Sequence, residues 1–177
     1  WSTDRAEYQR GIMDAISDDK IENIVVMSCA QIGKTEMLLN LIGYHIDQEP
    51  APMLVVQPTL DMAATFSRDR LAPMLRDTNC LSGKVKDPRA RDSGNTLYTK
   101  QFDGGHITLV GSNSASGLAS RPIRLVLFDE VDRYQVTTEG DAIDLARKRA
   151  ATFWNRKFVM VSTPTNRGSS RIEAAFE

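Results

Sequence analysis

The chain has 177 residues, 41% of them hydrophobic, enough for one compact domain with a sizeable core and too few for two large ones. Its 22 basic and 23 acidic residues leave a net charge of −1. There is thus no global basic field, and any contact with DNA must use a local patch or another part of an assembly. Cys29 and Cys80 are too few for a disulfide framework and fit a reducing compartment. No apolar run approaches the roughly 18 residues of a membrane helix, and no charged-then-apolar signal opens the chain. These features predict a soluble intracellular domain. The chain opens at Trp1 and stops at Glu177 within an amphipathic stretch, which reads as a domain excised from a longer protein.

Short apolar runs alternate with helical stretches, the pattern of βαβ units around a mainly parallel sheet. Residues 5–17 read as a helix with Asp4 as its N-cap. Residues 24–27 (Ile-Val-Val-Met) form a buried strand, followed by a loop and a helix over 34–46. A second strand covers 53–56 and closes at Pro58. Thr59 can cap a long helix running towards Arg76, disturbed near its end by Pro73. Residues 78–94 read as an exposed loop. Segments 96–102 and 106–111 flank Asp103-Gly104-Gly105, a hairpin signal. A polar loop over 112–122 leads to a third buried strand at 123–128. A helix follows at about 141–153, then a fourth strand at 157–162 and a helix from near Ser169.

Ser28-Cys29-Ala30-Gln31-Ile32-Gly33-Lys34-Thr35 fits the phosphate-loop pattern G-x-x-x-x-G-K-[ST] at every fixed position but the first, where Ser28 replaces Gly. A strand precedes it and a helix follows, as the motif requires. Loop amides and the helix N-terminus would face the β-phosphate of ATP. Lys34 would neutralise β- and γ-oxygens, the Thr35 hydroxyl would ligate Mg²⁺, and Gly33 would let the backbone approach closely. Without that context, Gly-Lys-Thr is also a common chance turn.

A second motif supports the first. Leu125-Val126-Leu127-Phe128 is apolar throughout, as a strand buried on both faces must be, and ends in Asp129-Glu130. Ligands bind at such C-terminal strand ends. Asp129 there can hold Mg²⁺, and Glu130 can polarise the attacking water. Ser162-Thr163-Pro164 ends the fourth strand with hydroxyls suited to sensing the γ-phosphate. Gln9, beside Tyr8, carries the donor and acceptor that an adenine edge needs, though from the residues alone a solvated helix Gln is the preferred reading. Arg121 is a candidate γ-phosphate finger, with Arg124, Arg133, Arg147 and Arg149 as weaker ones. His45 and His106 lack metal-ligand spacing. Lys84, Lys86, Arg89 and Arg91 could form a DNA patch, but Asp87 and Asp92 dilute it, and a merely solvated loop is the simpler reading.

From Gly117-Leu118-Ala119-Ser120-Arg121-Pro122-Ile123-Arg124 into Asp129-Glu130-Val131-Asp132-Arg133-Tyr134, the chain resembles the large terminase subunit of lambda-type tailed phages. The Trp1 region with Tyr8-Gln9, Val56-Gln57-Pro58-Thr59 and Ser162-Thr163-Pro164-Thr165 look like further motifs of that family in the same order. The resemblance covers nearly the whole chain. It implies an α/β P-loop NTPase fold of the additional-strand, RecA-like type: a mainly parallel sheet sandwiched by helices, with the coupling strand between the phosphate-loop and acidic strands. It implies one ATPase domain over 1–177, N-terminal to a nuclease domain not contained in this sequence. It implies Gln9 on adenine, Lys34, Thr35, Asp129 and Glu130 in the roles above, and Ser162-Thr163 as the coupling motif.

The expected cofactors are ATP and Mg²⁺. The expected partners are double-stranded DNA, a portal protein, a small terminase subunit and further copies in a ring, in the host cytoplasm. Many large terminases carry an Arg two residues before the loop Gly, where this chain has Gln31, so a finger must come from elsewhere. No nuclease activity is expected from these residues. A helicase-like ATPase and a nucleotide-binding scaffold without turnover remain as alternatives.

Overall fold

The computed structural model describes residues 4, 6–85, 94–118, 121–138 and 140–177. Trp1, the 86–92 part of the basic loop and Ala119-Ser120 lie outside the described residues. The strands are β1 (Asn23–Met27), β2 (Met53–Gln57), β3 (Thr99–Phe102), β4 (Gly105–Gly111), β5 (Leu125–Asp129) and β6 (Lys157–Ser162). They form one six-stranded sheet in the order β1-β6-β5-β2-β4-β3, parallel except for the β3–β4 hairpin at one edge. β6 therefore lies between β1, which leads into residues 28–35, and β5, which ends in Asp129, the order expected of the additional-strand type.

The central strands are apolar on both faces because helices cover both. Every residue of β2, β5 and β6 is buried. One face packs on α1 (Arg10–Ser17) and α2 (Lys34–Asp47) through Leu38, Leu41, Ile42, Val55 and Leu127. The other carries Leu54, Val56, Val126 and Phe128 against α6 (Ala142–Arg147), α7 (Arg171–Phe176) and Leu118 of α5 (Ala115–Leu118). Each such fully buried Leu or Val side chain contributes about 1.5–3 kcal/mol, offset by the entropy of ordering the chain.

Several boundaries move from the sequence expectation. The first α-helix begins at Arg10, behind a 3₁₀ turn Glu7–Gln9, so Asp4 does not cap it. The loop expected over 112–122 contains the single turn α5. The 141–153 helix shortens to α6 followed by a 3₁₀ turn, Lys148–Ala150, with Asp141 capping through Ile143 N–H. Thr59 does cap its helix, its Oγ1 accepting from Met62 N–H at 3.2 Å. That helix splits into α3 (Leu60–Phe66), a π-turn (Ser67–Leu71) and α4 (Ala72–Asp77). Pro73 explains the split. It has no N–H to donate, and its ring would strike a carbonyl of the preceding turn. A wider turn just before it moves that carbonyl aside, and Ala72 N–H reaches back to the Ser67 carbonyl instead.

Candidate nucleotide site

β1, β6 and β5 finish level: Met27 pairs with Ser162, and Asp129 with Val161. The segments leaving their C-terminal ends consequently share one cleft, at the end of the sheet where parallel αβ folds bind ligands. The loop after β1 is stitched to the end of β6 by Ser28 N–H donating to the Ser162 carbonyl at 3.2 Å. Gln31 and Gly33 are left-handed, at φ 63° and 84°. This reversal delivers the first amides of α2 to the cleft. A side chain at Gly33 would also collide with Gln9, whose Nε2 lies 2.8 Å from where its Cβ would be.

Lys34 opens α2 and is only 6% exposed. Its Nζ donates to the Cys29 carbonyl at 3.0 Å and to Thr163 Oγ1 at 2.8 Å, and Glu130 Oε1 stands 3.9 Å away. The loop after β1, the acidic end of β5 and the residue after β6 thus meet at one ammonium group. Glu130 is itself left-handed, at φ 54°, a conformation costing a non-glycine residue about 1–2 kcal/mol. Its N–H bonds the Val161 carbonyl at 2.8 Å and its carbonyl accepts from Arg133 N–H at 2.9 Å. These bonds hold the carboxylate over the cleft and not along the strand.

Asp129 is 5% exposed. Its Oδ2 accepts from Gln57 Nε2 at 2.9 Å, and its Oδ1 is buried without a partner among the described residues. Burial raises the Asp129 pKa above the usual carboxylate range. The Gln57 bond opposes this, the neighbouring Glu130 charge adds to it, and Lys34 opposes it. The buried, unpartnered Asp129 oxygen and Thr35, which lines the cleft, would offer the hard oxygen donors that suit Mg²⁺. Ser28 Oγ is likewise buried and unpartnered. Tyr134, whose pKa burial drives well up, donates to the Val56 carbonyl at 2.7 Å and braces the two strand ends beneath Asp129.

Gln9 is 1% exposed and donates from Nε2 to the Ile32 carbonyl at 2.9 Å, leaving Oε1 buried without a partner among the described residues. Tyr8 donates to the same carbonyl at 2.8 Å with its ring largely exposed. Ser162 Oγ donates to the Thr163 carbonyl at 3.2 Å and accepts from Asp132 N–H at 3.3 Å. Asp132 is structural, as its neighbours dictate: its carboxylate accepts from Thr165 N–H, Thr165 Oγ1 and Ile172 N–H, tying the end of β6 to α7.

The cleft bounded by Ala30, Gln31, Gly33, Lys34, Thr35 and Glu130 has a volume of about 380 Å³, within the range of small-ligand sites. A larger groove, about 640 Å³, runs between β1, α6 and α7 and holds none of these groups.

Arg121 is not in its own chain's cleft. It lies with Leu54, Thr108 and Ile123 at the sheet face turned away from α2, near enough to His106 that its charge adds to burial in lowering the imidazole pKa. Arg124 is tied to Glu49, and Arg147 bonds Asn23 Oδ1 while lying over the Phe158 ring. Two site residues escaped the sequence reading. Gln57 had a readable signal, a polar residue ending an otherwise apolar strand one step beyond Val56, as Asp129 ends β5. Arg70, which also lines the cleft, had none, because it arrives there on the π-turn. Cys29 and Cys80 are exposed free thiols. Among the described residues, no His, Cys, Asp and Glu group forms a preassembled metal cluster, and no helix is long and apolar enough to cross a membrane.

The chain is similar to curated large terminase subunits. It is 29% identical to that of Enterobacteria phage P21 and 28% identical to that of Escherichia phage lambda, each over 99% of this chain. It spans 27% and 28% of their lengths, respectively. In three dimensions it matches the large terminase ATPase domain of Thermus phage P74-26 with a TM-score of 0.61 at 12% identity, over 88% of this chain and 65% of the other. At that identity the match speaks for the fold. The family model described as phage terminase large subunit gpA, ATPase domain, covers residues 1–177. By that match over its whole length, the chain belongs to the ATPase-domain family of the phage terminase large subunit gpA.

Proposed function

We propose that this domain hydrolyses Mg-ATP to drive double-stranded DNA into a procapsid. Its assembly would be a ring of copies seated on a portal protein, with a small terminase subunit as partner, in the cytoplasm of the bacterial host. The observation that carries this reading is the convergence on Lys34 of Thr163 and Glu130, with the unpartnered Asp129 Oδ1 beside them.

In this mechanism loop amides and Lys34 bind the β- and γ-phosphates, and Thr35 and Asp129 hold Mg²⁺. The metal, when bound, neutralises charge on the phosphate oxygens. Glu130 takes a proton from the attacking water. Thr163 gives up Lys34 to the nucleotide, and the strand carrying Ser162 and Thr163 reports that exchange to α7 through Asp132. Gln9 offers its free Oε1 to the adenine amino group. Arg121, being outside its own cleft, would serve a neighbouring copy's γ-phosphate. No nuclease chemistry belongs to these residues, and nicking of plasmid DNA by them in Mn²⁺ would contradict this.

The test is steady-state ATP hydrolysis by the full-length protein, with and without linear duplex DNA, beside Lys34→Ala and Glu130→Gln. Turnover that needs both residues and rises with duplex DNA supports the motor. Glu130→Gln should retain ATP binding while losing about 10²-fold or more in kcat. Stimulation by single strands only would favour a helicase-like role, and no turnover would leave a nucleotide-binding scaffold.

A further inference from the structure

The phosphate loop of this chain carries Gln31 where an arginine would put a second cation, and Arg121 faces the other side of the sheet. Among the described residues lining the cleft, the cation that joins Lys34 is Arg70. It sits near the end of the π-turn, and the register of the helix explains how it gets there. Ala63, Ser67 and Leu71 are spaced by four and all are buried. In a regular helix eight residues overshoot two turns by about 80°, so the core-facing line from Ala63 would pass close to position 70. The wide turn absorbs that overshoot. Leu71 stays in the core at 0% exposure, and the Arg70 side chain is left outside it, exposed at the cleft. Ser67 pins the turn by donating from Oγ to the Leu97 carbonyl at 2.5 Å. A π-turn retained inside a helix is frequently a functional device.

Arg70 shares the cleft with Glu36 and Glu130, yet it forms no ion pair among the described residues. A guanidinium is always charged and presents a planar fork of donors matched to phosphate oxygens. We infer that Arg70 contacts the γ-phosphate of the nucleotide bound to its own chain, supplying the charge that Gln31 lacks and tying the α3–α4 helix to the nucleotide state. The inference rests on the ATP-binding reading of the cleft.

The test compares binding of Mg-ADP and of a non-hydrolysable Mg-ATP analogue to the full-length protein by titration calorimetry, for wild type, Arg70→Ala and Arg70→Lys, together with kcat for ATP. Arg70→Ala should weaken the analogue about tenfold or more, leave ADP within about twofold, and lower kcat by about 10²-fold or more. Arg70→Lys, which keeps the charge but not the fork, should recover part of the analogue's affinity. An exposed side chain that served only the helix would change both nucleotides alike. Equal effects on the two, or none, with wild type binding both, would overturn the assignment of Arg70 and leave the ATPase reading standing. Wild type that binds neither nucleotide would overturn both.

Discussion

Asp129 burdens the empty protein, and that burden can be measured. Its carboxylate is 5% exposed with one protein partner, Gln57, and its Oδ1 has none. An unpaired buried polar atom costs about 1–3 kcal/mol. Asp129→Asn keeps an oxygen to accept from Gln57 and removes the charge, but leaves an amide to be accommodated. A net gain of about 1 kcal/mol is expected, or about 2–4 °C in Tm for a chain of this size. The pH dependence follows from the raised pKa. On acidification the folded state takes up the proton before the unfolded one does. The penalty is therefore full above the folded pKa and fades as the pH falls through it towards the unfolded value. The advantage of Asp129→Asn should thus be larger at about pH 8 than at about pH 5. The unfolding transition of this domain, followed within the full-length protein in EDTA, reads this directly. With Mg-ATP the order should reverse: a saturating ligand at about 100 times its Kd stabilises wild type by about 2.7 kcal/mol, and the variant should lose most of that. A lower Tm for the variant in EDTA, or a gain identical at both pH values, would refute the reasoning.

Thr163→Val keeps the shape of the side chain and removes the acceptor for Lys34. It should lower kcat about tenfold or more, and unchanged turnover would remove Thr163 from the hydrolytic cycle. Gly105→Ala should destabilise by about 1–3 kcal/mol, read as a lower urea midpoint at unchanged slope. Its new Cβ would lie 2.5 Å from the Ala51 carbonyl and 2.7 Å from the Phe102 ring.

The parts of the site that lie close together in the chain were legible. Residues 28–35 carry their own turn, glycine and helix start, and Leu125-Val126-Leu127-Phe128 shows its burial as an unbroken apolar run ending in Asp129. The four parallel strands and the hairpin followed from the same logic, and β6 coincides with the residues expected. The position of β6 between β1 and β5 was implied by the family resemblance and not by any residue pattern, because strand order is decided by long-range packing. Gln57, Tyr134 and Arg70 act on residues far away in sequence. Their roles depend on which strands end level and on one widened helical turn, neither of which leaves a local periodicity. Gln9 reads as a surface residue until the loop folds over it.

Lys34 carries one further consequence. A buried ammonium with nothing to bond would be a high-energy species, and an enzyme that created one at every product release would pass through it slowly. Here Lys34 bonds the Cys29 carbonyl and the Thr163 hydroxyl, with Glu130 near by, so the protein itself satisfies the charge. The surroundings of Lys34 thus need no ligand to be electrically complete. On the ATPase reading proposed above, such a site would keep its shape through the interval between one nucleotide and the next.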